Sequence, residues 1–403
     1  MRIGKPQILE RDGQSVYRVA VDSAHEIGEL WFGVEPRFGD LMTDRSEAAL
    51  LGLVLPAMLR GQDIHLAGAI SGRALHNLSG PFQSVLASVI PELRKVRIHA
   101  DVVAAPPPRA AGVATGFSAG IDSFSVLADH HYGDPPPGYR LTHLLYNNVG
   151  SHGPAGNPVF RARYERLKPL ADRMGLPFVA VDSNLMSFYQ GLGFKLTYTV
   201  RNAVVALLLQ AGIGRSLHAA GTILERTHTG PANDVAFSDP VVLPMVSTEA
   251  LDAVSVGGVY TRVQKTLQVA EIEETYGVLD VCVRNDRAGN CSTCKKCVRT
   301  ILTLELAGLL DRYAAVFDVP AYRKARRWRM ARILRGKYQN ALEIKALARE
   351  RGYSFPIGER AITWLRLDLV RAWLVGLIGR TRGGKRWIRE RNVKRSPIWS
   401  SGA

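Results

Sequence analysis

Thr115-Gly116-Phe117-Ser118-Ala119-Gly120-Ile121-Asp122-Ser123 carries the densest chemical signal in the chain. An apolar lead-in, Gly112-Val113-Ala114, precedes it, and Phe124-Ser125-Val126-Leu127-Ala128 follows. That order predicts a buried strand, a tight turn and the first turns of a helix. Such a junction aims backbone N–H groups and the positive end of a helix dipole at an anion. Ser118 and Ser123 add hydroxyl donors, and Asp122 suits either a Mg²⁺ ligand or a helix cap. The same residues also suit an ordinary strand–turn–helix with a serine cap.

All four cysteines fall in one window, Cys282, Cys291, Cys294 and Cys297, spaced C-x8-C-x2-C-x2-C. Four thiolates complete a tetrahedral shell for a structural Zn²⁺ and leave no open position for catalysis. A four-cysteine iron–sulfur cluster is the competing occupant. Disulfides are disfavoured in the reducing compartment expected below. Lys295, Lys296 and Arg299 sit among the ligands, where they either offset the thiolate charge or form a solvated helix start.

The nine-residue run resembles the Ser-Gly-Gly-x-Asp-Ser pyrophosphate loop of the N-type ATP pyrophosphatases, with Ala119 where the first motif glycine is expected. That resemblance implies an adenine nucleotide alpha hydrolase-like fold that splits ATP between its alpha and beta phosphates. Together with the cysteine spacing, the chain resembles 7-cyano-7-deazaguanine synthase over roughly Gly112 to Leu310. Tyr198-Thr199-Val200-Arg201-Asn202 matches the Arg-Asn of that family's Pro-Gly-Arg-Asn run but not its Pro-Gly. Thr261-Arg262-Val263-Gln264-Lys265 and Ser238-Asp239-Pro240 correspond loosely to a basic segment and an Asp-bearing substrate loop.

The resemblance implies ATP, Mg²⁺ and Zn²⁺ as cofactors. Gly116, Ser118, Ala119, Gly120, Ile121, Asp122 and Ser123 would cradle the beta and gamma phosphates, with Asp122 near Mg²⁺. Lys265 and Arg201 would neutralise departing pyrophosphate; both residue types also serve as helix-surface salt bridges. A substrate carboxylate would attack the alpha phosphate, and ammonia or an amine would then displace AMP. Relatives of this synthase that attach a deazaguanine to protein imply that a macromolecular acceptor is also compatible. Two other readings compete: modification of a tRNA base, and a non-catalytic nucleotide-binding component of a larger assembly.

These residues need a scaffold. From Gly112 the chain alternates strand and helix, with strands at Leu141–Tyr146, Pro177–Val181 and Ser216–Ala220 and a short apolar run, Val241–Met245, read as a further strand. Helical spacing covers Phe160–Met174 and Arg201–Ala211. This predicts an α/β, Rossmann-like parallel sheet covered by helices, with ligands beyond the carboxyl ends of the strands. The segments there are polar: Ser118–Ser123, Asn147–His152, Asp182-Ser183-Asn184 and Gly221-Thr222. Asn148, with Asn147, could meet an adenine edge, and backbone groups of the same loop could do so equally. His152 reads as a solvated surface histidine, with phosphate donation as the alternative.

Residues 1–103 read as a separate α+β domain with strands at Ser15–Val21, Glu29–Val34 and Val96–Ala100 and helices at Ala48–Met58 and Leu78–Ile90. A Pro/Ala linker follows at 104–111. The pyrophosphate-loop domain with its four-cysteine site spans 112–311, and a basic helical region spans 312–403.

The 403 residues, 46% hydrophobic and 22% charged, describe an ordinary globular composition. No apolar leader or 18-residue apolar run is visible, so a cytoplasmic protein without a transmembrane segment is expected. The net charge of +16 is concentrated at the C-terminus. Arg323–Arg329 mixes cations with Trp328. Ala361–Ile378 is an amphipathic pattern with Trp364 and Trp373. Arg380–Arg395 is a further basic run, and Ser396–Ala403 is expected to be disordered. Such a region suits nucleic acid, a protein acceptor, an anionic membrane, or simply a packed helical domain with a solvated basic face.

Overall fold

Alternation of Val19 and Val21 inward with Ala20 and Asp22 outward makes β3 (Gln14–Asp22) the best-patterned strand of the amino-terminal third. The computed structural model describes residues 1–23, 27–282 and 289–366. Its other strands are β1 (Arg2–Ile3), β2 (Gln7–Arg11), β4 (Ile27–Val34), β5 (Ile64–Ile70), β6 (Ile98–Val103), β7 (Gly112–Gly116), β8 (His143–Asn147), β9 (Phe178–Ser183), β10 (Ile213–Ala219) and β11 (Asp252–Val256). The helices are α1 (Glu47–Arg60), α2 (Gly72–Ser79), α3 (Pro81–Val89), α4 (Ile121–Leu127), α5 (Pro158–Arg173), α6 (Phe194–Leu208), α7 (Asp239–Val246), α8 (Arg262–Val269), α9 (Lys295–Leu306), α10 (Val319–Arg335), α11 (Gln339–Glu350) and α12 (Ile357–Trp364).

The strands form one sheet in the order β11-β10-β7-β8-β9-β4-β3-β1-β5-β6, with β2 beside β3. β11 through β9 are all parallel, as the strand–helix alternation requires. From β7 the chain steps outward to β8 and β9, then returns to place β10 on β7's other side. The β7/β10 boundary is therefore a topological switch point, where such sheets open a crevice at their carboxyl ends. The α/β class with a largely parallel central sheet is as expected.

Several expectations need correction. The prolines at 104–111 connect β6 to β7 within one sheet, since β4 pairs antiparallel with β9 through Phe32↔Ser183 and Gly33↔Asp182. Apolar residues from Ile3 to Ala253 likewise share one core. Residues 1–103 thus complete the sheet rather than form a separate body. The compact units are Met1–Asn290 with Arg312–Val316, and Cys291–Asp311 with Phe317–Ala403.

Val241–Met245 lies in α7, not a strand; Pro240 pre-sets the first turn, and a run this short has no decisive period. The single helix expected at 78–90 is two, broken at Gly80 with Pro81 opening the second. In the second unit α10 packs against α9, α11 and α12. The helix expected at Ala361–Ile378 is represented by the end of α12; residues from Leu367 on, including Trp373, Arg380–Arg395 and Ser396–Ala403, lie outside the described residues. No described helix is long and apolar enough to cross a membrane.

Candidate functional site

β7 ends at Gly116, and Phe117 N–H still donates to Leu145 O at 2.8 Å, so the strand pairing runs into the turn. Phe117 is buried while Gly116 and Ser118 face solvent. Ala119 then adopts φ +56°, the left-handed region that favours glycine. Its carbonyl accepts from Asp280 N–H at 2.8 Å. Ser123 Oγ accepts from Gly120 N–H at 3.1 Å and donates to Gly120 O at 3.0 Å, closing the turn on α4. Alanine thus occupies the glycine-type conformation and bears its strain, while the turn itself forms.

Asp122 projects from the first turn of α4 toward α8. Arg262 Nη2 donates to Asp122 Oδ2 at 2.7 Å, and Lys265 Nζ lies 3.5 Å from Oδ1. Thr261 caps α8 with Gln264 as its reciprocal partner, which fixes the first turn. The i, i+3 spacing then puts Arg262 and Lys265 on one face. Lys265 also donates to Ala220 O at 2.7 Å, just past the end of β10. Burial pulls the Lys265 pKa below its ordinary value, and Asp122 opposes that shift. A carboxylate and two cations therefore converge at the β7/β10 switch point.

Other polar groups line the same ends of the strands. Asn147 Nδ2 donates to Asn202 Oδ1 at 3.0 Å, and Asn202 Nδ2 to Tyr198 O at 2.7 Å. The Asn147 Oδ1 is buried without a protein partner. Asn148 Nδ2 donates to Asp182 Oδ1 at 2.7 Å and to Pro154 O at 3.2 Å, so this side chain holds its own loop together.

Thr199 Oγ1 donates to Asp239 Oδ1 at 2.7 Å, and His218 Nε2 lies 3.6 Å from Oδ2. Burial raises the Asp239 pKa to about 7 and lowers that of His218 to about 4. Three residues of distant sequence thus form a proton-sensitive cluster beside β10. The sequence points to Asp239 only through a loose resemblance and carries no local signal for His218 or the Thr199 hydroxyl.

Arg201 is buried on α6. Its Nε donates to Thr197 Oγ1 at 2.9 Å, and its Nη1 and Nη2 to Val149 O and Leu192 O at 3.3 Å each. Its guanidinium lies 3.9 Å from the centre of the Tyr189 ring. Gly150, at φ +103°, keeps the backbone close to it; a Cβ there would lie 2.6 Å from Nη1. Arg201 therefore braces the loop after β8. It is not among the groups that meet Asp122. His152 is not a solvated surface residue: its ring lies 5.0 Å from Tyr146 and 5.4 Å from Phe160. Burial, with Arg163 nearby, lowers its pKa to about 4.

The cysteines also gather. Sγ atoms of Cys282, Cys291, Cys294 and Cys297 all lie within 4.8 Å of one another, so the cluster can hold a metal ion such as zinc. Cys294 caps α9, its sulfur accepting from Cys297 N–H at 3.5 Å, and Cys291 Sγ accepts from Cys294 N–H at 3.3 Å. Amide donors aimed at sulfur favour thiolate over thiol. Lys295 and Lys296 are exposed in the first turn of the same helix.

Comparison with protein-family models, curated proteins and solved structures finds no match to this chain.

Proposed function

We propose that this chain is an ATP-dependent, adenylate-forming enzyme of the pyrophosphate-loop class that activates a small carboxylate and releases AMP and pyrophosphate. The reading is carried by one observation: Asp122, Arg262 and Lys265 converge at the switch point beside the turn built from Gly116 to Ser123. Two cations beside a serine-bearing turn suit a polyphosphate that gains charge as its bond to the alpha phosphate breaks. Arg262, rather than the more distant Arg201, is the second cation of this set.

Asp122 serves as the counter-charge that keeps Lys265 protonated in a buried position. Its engagement with both cations makes it a poor preformed Mg²⁺ ligand, so Mg²⁺ is best supplied as the nucleotide complex, where it neutralises phosphate charge. Asn147, with its unpartnered oxygen, suits a donor on the nucleotide or the acid. Asp239, poised to change protonation near neutrality, suits an N–H-bearing heterocyclic acid such as a 7-carboxy-7-deazaguanine. The four cysteines fit structural zinc, which would fix the start of α9.

The test is pyrophosphate release from ATP-Mg²⁺ with and without 7-carboxy-7-deazaguanine. Acid-dependent release is expected, and Lys265→Met should lower it about 100-fold. Equal release without any acid would refute carboxylate activation. Ala119 favours a second reading, nucleotide binding without turnover. An Ala119→Gly variant that gains turnover over a silent parent would support it; equal turnover in the two would remove it.

A further inference from the structure

The turn from Gly116 to Ser123 is held at its centre from outside. Ala119 is buried at φ +56°, a left-handed conformation that strains any residue with a Cβ and persists where neighbours enforce it. The neighbour that reaches it is Asp280, whose N–H donates to Ala119 O at 2.8 Å. The two segments touch along their backbones: a Cβ on Gly120 would lie 3.5 Å from Asp280 O.

Asp280 stands two residues before Cys282. Its carboxylate, only 7% exposed, is divided between two donors. Oδ1 accepts from Cys282 N–H at 3.2 Å, and Oδ2 accepts from Arg166 Nη2 at 2.7 Å. Asn290 holds the flanking backbone. Val281 N–H donates to Asn290 Oδ1 at 2.9 Å, and Asn290 Nδ2 donates to Leu279 O at 2.7 Å and to Val316 O at 3.2 Å. All of these residues belong to the same compact unit as the turn.

The path from the Cys282 sulfur to the Ala119 carbonyl therefore runs through residues 280–282, and each of their amides is hydrogen-bonded. The four Sγ atoms lie within 4.8 Å of one another. Thiolates packed this closely repel unless a cation lies among them, so metal loading pins Cys282 by its sulfur. Groups that hydrogen-bond around a metal ligand orient that ligand, and the constraint acts in both directions.

We propose that Asp280 is a positioning residue that links the metal cluster to the turn, so that metal loading at Cys282 sets how firmly Ala119 and Gly120 are held. The assignment of the turn to phosphate rests on the proposed function; the linkage itself does not.

The test is hydrogen exchange on the full-length, zinc-loaded protein before and after chelation. Peptides spanning 117–124, and the Asp280 amide, should exchange about tenfold faster once zinc is removed, the scale of one hydrogen bond. Peptides of β3 report the global fold. Asp280→Ala should retain one zinc per chain, exchange fast at the turn with zinc bound, and respond no further to chelation. Asp280→Asn keeps an oxygen for Cys282 N–H and should restore most of the zinc response. A residue that only packs would not alter that response. Unchanged exchange at 117–124 on chelation, with β3 still protected, overturns the proposal, and so does a parent-sized response in Asp280→Ala. If chelation frees β3 as well, zinc-loaded Asp280→Ala decides: fast exchange confined to the turn sustains the linkage, and parent-like exchange overturns it. ATP affinity, read by calorimetry on the same samples, should fall about tenfold when the parent loses zinc. A turn that loosens in a protein that never binds ATP would refute the nucleotide reading and leave the linkage standing.

Discussion

Individual residues at the candidate site divide by how local their partners are. The cysteines were legible because three of the four fall within seven positions, and their spacing states their joint purpose. The turn from Gly116 to Ser123 was legible for the same reason. Thr199, His218 and Asp239 were not, because α6, β10 and α7 must first fold beside each other before the three side chains meet. That cluster makes a signed prediction. Asp239 has a folded-state pKa raised to about 7, above its unfolded value, so the folded state holds its proton longer. Its contribution to stability is full below about pH 4 and is lost as pH rises through about 7. His218 has the opposite sign: its pKa is depressed to about 4, so stability is lost as pH falls from about 6.5 through that value. Asp239→Asn removes only the first dependence. Urea midpoints should place the variant increasingly above the parent between pH 5 and pH 8; a constant offset across that range would show that Asp239 is ionised throughout. Ala119→Gly balances differently. Release of left-handed strain, worth about 1–2 kcal/mol, is offset by the buried methyl and by glycine's greater freedom when unfolded. Its melting temperature should change little, so any gain in turnover would report the loop and not the stability.

Between residues and fold stand the elements, and here the decisive feature is how α4 and α8 are locked together. Gln268 on α8 accepts from Ser125 Oγ on α4 at 2.7 Å and donates to Asp129 Oδ1 at 2.6 Å, which also accepts from Tyr260 Oη at 3.3 Å. This amide ties α8 to α4 one turn beyond the Asp122 pairs and so supports the register in which Arg262 and Lys265 reach Asp122. Gln268→Leu leaves a hydroxyl and a carboxylate each short of a partner and should cost about 1–3 kcal/mol by urea denaturation. Under the proposed function, nucleotide affinity should fall with it, because the cations lose their alignment; unchanged ATP binding would show that α8 is positioned by other contacts. α8 has a capping box that sequence inspection can find, but nothing in the local pattern says which face meets α4. Similar limits hid β5, whose Ala67, Gly68 and Ala69 dilute an otherwise regular alternation. At the other end of the chain, α9 begins on the cysteine cluster. Elemental analysis should find one zinc per chain, and Cys297→Ser should lose it and destabilise the protein. Brown protein containing iron would replace zinc with a cluster.

For the whole molecule, the question is whether residues 1–103 can be removed from the remainder. Composition suggests that they can, since the proline run at 104–111 resembles a linker. The physical connections all cross that run. β4 pairs with β9 in the sheet, and α1 packs along α6. Gly52 of α1 is so close to that layer that a Cβ would lie 3.2 Å from Leu185 and 3.8 Å from Val204. A buried polar chain crosses as well. Glu47 pairs with Arg45 at 2.9 Å and accepts from Gln210 Nε2 at 3.4 Å, and Gln210 in turn accepts from Thr248. Leu50, Leu51, Leu53, Val54, Leu55 and Met58 of α1 are all fully buried. At about 1.5–3 kcal/mol for each such side chain, their burial is comparable to the roughly 5–15 kcal/mol that holds a whole domain folded. A fragment beginning at Gly112 should therefore lack a cooperative melt, expose the apolar face of α6 and, under the proposed function, fail to bind nucleotide. The intact chain should lose residues 1–103 and the central sheet in a single transition, read by hydrogen exchange at β3 and β7 together. A soluble Gly112 fragment with its own sharp melt would show that the central sheet is self-sufficient. In that case the amino-terminal strands would be an extension of the fold, and the position of Asp122, Arg262 and Lys265 would not depend on them.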